Sequence, residues 1–161
     1  MNQLPARQKP LIRVTRRTHK PALGLPLLVL LSACSASPPD NLGVRDGRLA
    51  PCPESPNCVN SQTGDEEQRI EPLPLRGSPS QTRALLVKLL ADEPRARLIE
   101  QETNYLRAEF SSQVLRFVDD VEFLIGEHAV DVRSASRLGY ADFGVNRKRI
   151  EQLRQRLGEQ Q

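Results

Sequence analysis

Asp119, Asp120 and Glu122 lie within one span of four residues, and Arg133, Arg137, Asp142, Asn146 and Arg147 follow within the next 25. Carboxylates at this spacing could hold a divalent cation through oxygen ligands or divide acid and base roles between them. They sit in a stretch, Leu115–Ile125, where Leu115, Phe117, Val121 and Phe123 alternate with other residues. Such alternation reads as a strand, and a strand sends successive side chains to opposite faces. Asp120 and Glu122 therefore share one face and Asp119 takes the other, which excludes a single three-carboxylate cage. The competing reading is charge pairing, because arginine forks meet carboxylates in two-point hydrogen bonds. A turn at Gly126–Glu127 is expected to bring Asp120 beside Arg133, with Arg137 and Arg147 in the loop beyond.

Other reactive residue types are present without their partners. Ser134 and Ser136 flank Ala135, but a serine nucleophile needs a base. Outside the first 33 residues the chain has a single histidine, His128. It lies six residues from Ser134, roughly 20 Å along an extended strand at ~3.3 Å per residue. Asp142-Phe143-Gly144 matches the magnesium motif of kinases only in its letters, since neither a Gly-rich loop nor a catalytic His-Arg-Asp loop accompanies it. Phe143 is expected to anchor this loop, with Gly144 bending the backbone and Asp142 as a turn acid or arginine partner. Arg147 would sit at a helix N-terminus, where positive charge opposes the helix dipole. Pairing with Asp142 is the expected compensation.

The elements that must position these residues are legible from pattern. Ser78-Pro79-Ser80-Gln81 carries an N-cap serine, proline at the first helical position and glutamine three residues after the cap. Leu85, Leu86, Leu89 and Leu90 then form an apolar face, and Pro94 closes the helix. Ile70–Leu75 contains prolines and is expected as an edge strand or an extended lead-in. Ala96–Glu102, Tyr105–Ser111, Leu115–Ile125 and His128–Ala135 read as four consecutive strands joined by short links. Asn146 is expected to cap a final helix with Ile150, Leu153 and Leu157 as its buried stripe and Gly158 at its end. The fold class is α+β: an antiparallel sheet of about four to five strands with two helices packed on one face.

The first 33 residues read as an address. Six of the 23 basic residues fall there and no acid does, so the remainder carries 17 basic against 20 acidic residues. The overall charge of +3 is therefore no argument for a nucleic-acid partner. Ala22–Ala33 is apolar but too short to span a bilayer, which needs roughly 20 residues. A basic leader, a short apolar run and small residues before a cut describe a secretory signal. Leu31-Ser32-Ala33-Cys34 resembles a bacterial lipobox, which makes Cys34 the expected site of lipidation and the first residue of the mature chain. Initiation at Val14 would give a signal of 20 residues. By resemblance to the sorting rules of enteric-type bacteria, Ser35 after the cysteine favours the outer membrane, facing the periplasm. Ser35–Ala50, rich in Pro, Gly, Ser and Asp, reads as a flexible tether. The organisation is thus signal peptide 1–33, tether 34–50 and one α+β domain over 51–161.

With Cys34 acylated, Cys52 and Cys58 remain, and in an oxidising compartment a disulfide is their default. A redox-active pair and half of a metal site are the alternatives. The five-residue spacing differs from the Cys-x-x-Cys of thiol oxidoreductases.

Four ordered motifs carry a resemblance. They are Cys52-Pro53-x-Ser55-Pro56-Asn57-Cys58-Val59-x-Ser61, Arg116-Phe117-x-Asp119-Asp120-Val121-Glu122-Phe123, Arg133-Ser134-Ala135-Ser136-Arg137-x-Gly139 and Asp142-Phe143-Gly144-x-Asn146-Arg147-x-Arg149. From about Cys52 to Leu157 the chain resembles the domain of unknown function 1499 family. The resemblance implies a bacterial or photosynthetic lineage and a protein that is exported or membrane-attached. It brings no activity, ligand or catalytic residue with it.

Two functions remain. The first is a non-catalytic, lipid-anchored module of the cell envelope that binds a protein, glycan or small ligand or takes part in envelope maintenance, with no cofactor. The second is a hydrolase or metal-dependent enzyme centred on Asp120, Glu122 and Arg133. Closed, buried pairing of these side chains favours the first. An open cleft with unmatched carboxylates favours the second, because a buried charge without a partner is costly.

Overall fold

A computed structural model of the chain describes residues 37–160. The signal peptide expected over 1–33 and the lipidation site at Cys34 lie outside the described residues. The elements are β1 (Val44–Arg45), β2 (Arg48–Leu49), β3 (Cys58–Asn60), β4 (Leu73–Pro74), α1 (Pro79–Ala91), β5 (Ala96–Gln101), β6 (Tyr105–Ser111), β7 (Val118–Ile125), β8 (Ala129–Ser136) and α2 (Val145–Gly158).

The architecture is α+β, with a six-stranded antiparallel sheet in the order β3-β8-β7-β6-β5 and β4 also pairing with β8. That is more than the four to five strands expected from pattern. The difference comes from β3 and β4, which are three and two residues long and too short to show a period of two. Both pair with the outer edge of β8, β3 along Arg133–Ala135 and β4 along Ala129–Val130. Pro74, lacking an N–H, is tolerated at this edge.

α1 begins as its sequence dictates. Ser78 Oγ accepts from Gln81 N at 3.2 Å and Gln81 Oε1 accepts from Ser78 N at 2.8 Å, a closed capping box with Pro79 at the first turn. The start of α2 differs from expectation. Gly144, in the left-handed conformation at φ 78°, is the N-cap, and Asn146 lies inside the first turn. Asp142 supplies the capping oxygens, accepting from Gly144 N at 3.0 Å and Asn146 N at 2.7 Å. A carboxylate there also meets the positive end of the helix dipole.

Both helices cover one face of the sheet. Leu86, Leu89 and Leu90 of α1 and Ile150, Leu153 and Leu157 of α2 pack on Leu106, Ala108, Phe110, Val121, Phe123, Val130 and Val132. The period of two therefore holds across three strands. Leu115 and Phe117, expected to extend this pattern, precede β7 in a loop and are exposed.

The stretch expected as tether carries structure in its second half. β1 and β2 form a small hairpin, and Leu49 is buried with Tyr105 and Leu124 on the face away from the helices. Arg48 Nη2 donates to Gln62 O, and Asn60 Nδ2 donates to Ala50 O, which holds the hairpin beside β3.

Candidate functional site

The register of β6, β7 and β8 builds the candidate site. Arg107, Glu122 and Arg133 stand in one row across the three strands, and Glu109, Asp120 and Ala135 in the next. Alternation sends all six away from the helices, onto the face that the β1–β2 hairpin partly covers. A face that would ordinarily be solvated is thus largely closed, and its charges must satisfy one another.

They do so in a lattice of two adjoining clusters, one around Glu122 and one around Asp120. Glu122 is fully buried. Its Oε2 accepts from Arg133 Nη1 at 3.0 Å, and its Oε1 accepts from Tyr105 Oη at 2.9 Å and from Gly43 N at 2.8 Å. Asp120, 1 % exposed, receives the two-point fork of Arg137: Nε to Oδ2 at 2.7 Å and Nη2 to Oδ1 at 2.8 Å. Arg107 Nη1 adds a bond to Asp120 Oδ1 at 3.2 Å, while its Nε donates to Glu100 at 2.6 Å. Glu109 takes Arg137 on one oxygen and Arg97 on the other, at 2.5 and 2.7 Å.

The electrostatics follow from this closure. Burial pushes the Tyr105 phenol far above its usual range, and the neighbouring Glu122 charge pushes it further. Burial raises the Glu109 carboxyl, but Arg137 and Arg97 outweigh it and hold the group below the usual carboxylate range. The hydrogen bonds that Arg137 donates to Asp120 raise its pKa, against the opposing effect of burial. Arg107 is desolvated, which opposes its charge, yet Glu100 and Asp120 raise it on balance. Each group is held in its ordinary charge state. A catalytic acid or base is instead tuned towards the working pH.

One atom breaks the pattern. Arg133 is 3 % exposed, and its Nε has no hydrogen-bond partner among the described residues. A small cavity of about 200 Å³ adjoins it, lined by Pro39, Asn41 and Pro53 as well as by Asp120, Ala135 and Arg137.

The structure unites Asp120, Glu122, Arg133 and Arg137 but corrects their pairing. Arg133 stands opposite Glu122, not beside Asp120. The turn pairs Gly126 with Ala129 through a 2.9 Å bond, which shifts the register by two residues from the one expected.

Asp119 and Asn146 belong to a second polar group on the helix face. Arg149 Nη2 donates to Asp119 Oδ2 at 2.6 Å, and the same guanidinium lies 4.7 Å from the centre of the Phe110 ring. Asn146, fully buried, accepts at Oδ1 from Ser134 Oγ at 2.5 Å and Arg149 Nη1 at 2.6 Å. Its Nδ2 donates to Asn57 O and Ser136 Oγ, both at 3.0 Å. Asn146 therefore ties α2 to β8 and to the residue before β3.

Arg147 leaves this site. Its guanidinium donates to the carbonyls of Arg69 and Glu67 at 2.6 and 2.8 Å, not to Asp142. Backbone carbonyls near α2 offset its unfavourable position at a helix start. Phe143 does not anchor its loop. It is 98 % exposed, with a left-handed φ of 54°.

Sequence reasoning missed Tyr105, Arg107 and Glu109, which complete the lattice from β6, and Arg149. The signal was present in β6, where these three alternate with Leu106, Ala108 and Phe110.

Cys52 and Cys58 are joined by a disulfide with sulfurs 2.02 Å apart. It pins the segment before β3 to the edge of the sheet. Among the described residues no group of three or more His, Cys, Asp or Glu side chains is arranged to hold a metal ion. No helix among them is long and apolar enough to cross a membrane.

Neither curated proteins nor solved structures yield a match to this chain. The family model described as protein of unknown function (DUF1499) matches residues 48–157, a span that contains all six strands of the sheet, α1, all but the last residue of α2 and every charged side chain of the lattice. The chain belongs to the DUF1499 family.

Proposed function

We propose that this protein is an exported, lipid-anchored component of the cell envelope, held in the outer membrane through Cys34 and facing the periplasm. Its folded domain is a non-catalytic binding or envelope-maintenance module. The observation that carries the second half of this reading is the closure of the charge lattice. Asp120 and Glu122 are both buried, and each accepts three hydrogen bonds. A hydrolase or metal-dependent enzyme using these two carboxylates with Arg133 would need an oxygen available to a proton, a water or a cation. His128, the base that a serine mechanism would require, is exposed at the β7–β8 turn, at the far end of the strand from Ser134.

The first half rests on the lipobox-like Leu31-Ser32-Ala33-Cys34 behind a basic leader and an apolar run. The disulfide supports it too, since such bonds persist in oxidising compartments. The partner is a protein, glycan or small ligand of the envelope.

Fractionation of bacterial cells producing the whole chain tests the anchor. The expected result is that the protein sediments with outer membranes and that Cys34→Ser releases it into the soluble periplasmic fraction. Soluble wild-type protein, or a Cys34→Ser variant that still sediments like wild type, would contradict the reading.

A further inference from the structure

Seven of the eight large apolar side chains exposed among the described residues come from two neighbouring stretches. Val114, Leu115 and Phe117 belong to the β6–β7 loop. Leu138, Tyr140 and Phe143 belong to the β8–α2 loop, and Val145 opens α2. Isolated apolar side chains on a surface need no explanation, but a cluster of this kind marks a contact surface.

Topology gathers the two loops at one end of the sheet. β6 ends, β7 starts and β8 ends at that edge, and Arg137 N donates to Val118 O across it at 3.0 Å. Ser112 and Gln113 of the first loop share a cleft of about 430 Å³ with Val145 and Lys148. The first loop is also closed at its base, where Ser112 N donates to Phe117 O at 2.8 Å and Phe117 N to Ser112 Oγ at 2.9 Å. Its tip is thereby pushed out as a knuckle.

Backbone conformation points the same way. Arg116 and Phe143, one in each loop, are non-glycine residues with φ of 53° and 54°. A bulky residue in the left-handed region is strained and is retained where geometry serves a purpose.

Two observations identify what covers this surface. The first is where the described chain begins. Ser37 and Pro38 lie in a depression with Ser111, Val118 and Arg137, at the same end of the sheet. Cys34 is three residues earlier, so a fully extended chain keeps it within about 11 Å of Ser37. The second is charge. Arg95, Arg116 and Lys148 are exposed around the two loops. The nearby acids Asp119 and Glu93 are paired with Arg149 and Arg156, and Asp142 is engaged in capping. Exposed Asp92, at the end of α1, offsets only part of this positive charge.

We infer that this end of the sheet rests on the bilayer, with the 112–117 and 138–145 loops seated among the headgroups of an anionic phospholipid membrane. The inference deepens the lipid-anchor reading and rests on it. The acyl chains supply attachment, and the loops fix the orientation of the domain. Tyr140 is suited to such an interface, having an apolar ring and a polar tip. Leu, Val and Phe at the tips bury apolar area, and the basic side chains meet phosphate. The β1–β2 hairpin, whose Leu49 packs with Tyr105 and Leu124 towards the opposite end of the sheet, is then held away from lipid contact.

The test uses the full chain, processed in cells, purified in detergent and reconstituted into phosphatidylethanolamine–phosphatidylglycerol vesicles. Acylation of Cys34 and the native disulfide leave an introduced cysteine as the sole thiol. Leu115→Cys, Phe143→Cys and, at the opposite end, Glu127→Cys are each labelled with a polarity-sensitive fluorophore. The expected result is blue-shifted emission and several-fold lower aqueous iodide quenching at 115 and 143 in vesicles, with position 127 unchanged. Intact mass on the same samples reads the acyl modification. Acylated protein whose three labels are quenched equally overturns the docking surface and leaves the anchor standing. Protein without acyl mass removes the anchor, and the orientation falls with it. Protection at 115 and 143 in detergent-free Cys34→Ser protein, with no lipid present, assigns the surface to a second copy of the chain and overturns the lipid reading. Hydrogen exchange on the wild-type protein repeats the test without substitution, and slowing confined to 112–117 and 138–145 on vesicle binding is the supporting pattern.

Discussion

Glu122 and Arg133 face each other across β7 and β8, joined at 3.0 Å and almost wholly removed from water. Their side chains are 0 % and 3 % exposed. A pair buried to this degree is costly to assemble and far costlier to break, because removing one partner strands the other charge. The carboxylates on this face are satisfied accordingly. Tyr105 and Gly43 fill the second oxygen of Glu122, and Asp120 draws Arg107 and Arg137 to itself.

Tyr105→Phe keeps the ring and removes the hydroxyl. It should cost about 1–2 kcal/mol by leaving a buried carboxylate oxygen short of one donor. The same variant should change the alkaline limb of stability. The phenol is raised in the folded state, so the unfolded chain loses its proton first, and stability falls as pH climbs above the ordinary phenol value of about 10. Urea titrations from neutral pH upward should show that decline in the wild type and a weaker one in Tyr105→Phe.

Glu109 predicts the acid limb with the opposite sign. Its carboxyl is held below the usual range in the folded state, so its contribution is present above the unfolded pKa and is lost as pH falls through the folded one. Glu109→Gln should therefore flatten the loss of stability on acidification. Circular-dichroism melts across the carboxylate range give this directly, and parallel curves for wild type and variant would refute the assignment.

The fold was legible where local pattern and packing agree. The capping box of α1, the leucine face behind it and the buried stripe of α2 all follow from spacing alone. β3 and β4 were hidden because two or three residues cannot display a period. Asp120, Glu122, Arg133 and Arg137 were recognisable as one cluster, yet their pairing was not. A shift of two residues in the β7–β8 register moves Arg133 from Asp120 to Glu122 without changing which face either occupies. Tyr105, Arg107 and Glu109 were readable in the alternation of β6 but stood outside the motif that drew attention to β7. The exposure of Leu115, Phe117 and Phe143 was the least accessible feature, since apolar residues beside a strand look like its continuation.

Asn146 ties three segments together from a fully buried position. Asn146→Ala should cost about 2–3 kcal/mol, since Asn57 O and Ser134 Oγ lose a buried partner. The measurement is chemical denaturation with a common slope. A change within a few tenths of a kcal/mol would show that water replaces the side chain.

The Cys52–Cys58 disulfide closes a short loop, and a loop of this size is worth about 2 kcal/mol in the chain-entropy view. Thermal melts with and without reductant should differ accordingly, with the reduced protein melting lower. Alkylation of both thiols without reductant would contradict the bond itself.

If the charged cluster is a closed structural lattice, each buried charge depends on its partner for stability. A double-mutant cycle on Glu122→Gln and Arg133→Met tests it most directly, read as unfolding free energy in urea. Each single variant should lose about 3 kcal/mol or more, and the double variant much less than their sum. Single variants as stable as the wild type, or more stable, with no coupling between them would contradict it and mark the pair as strained for a function.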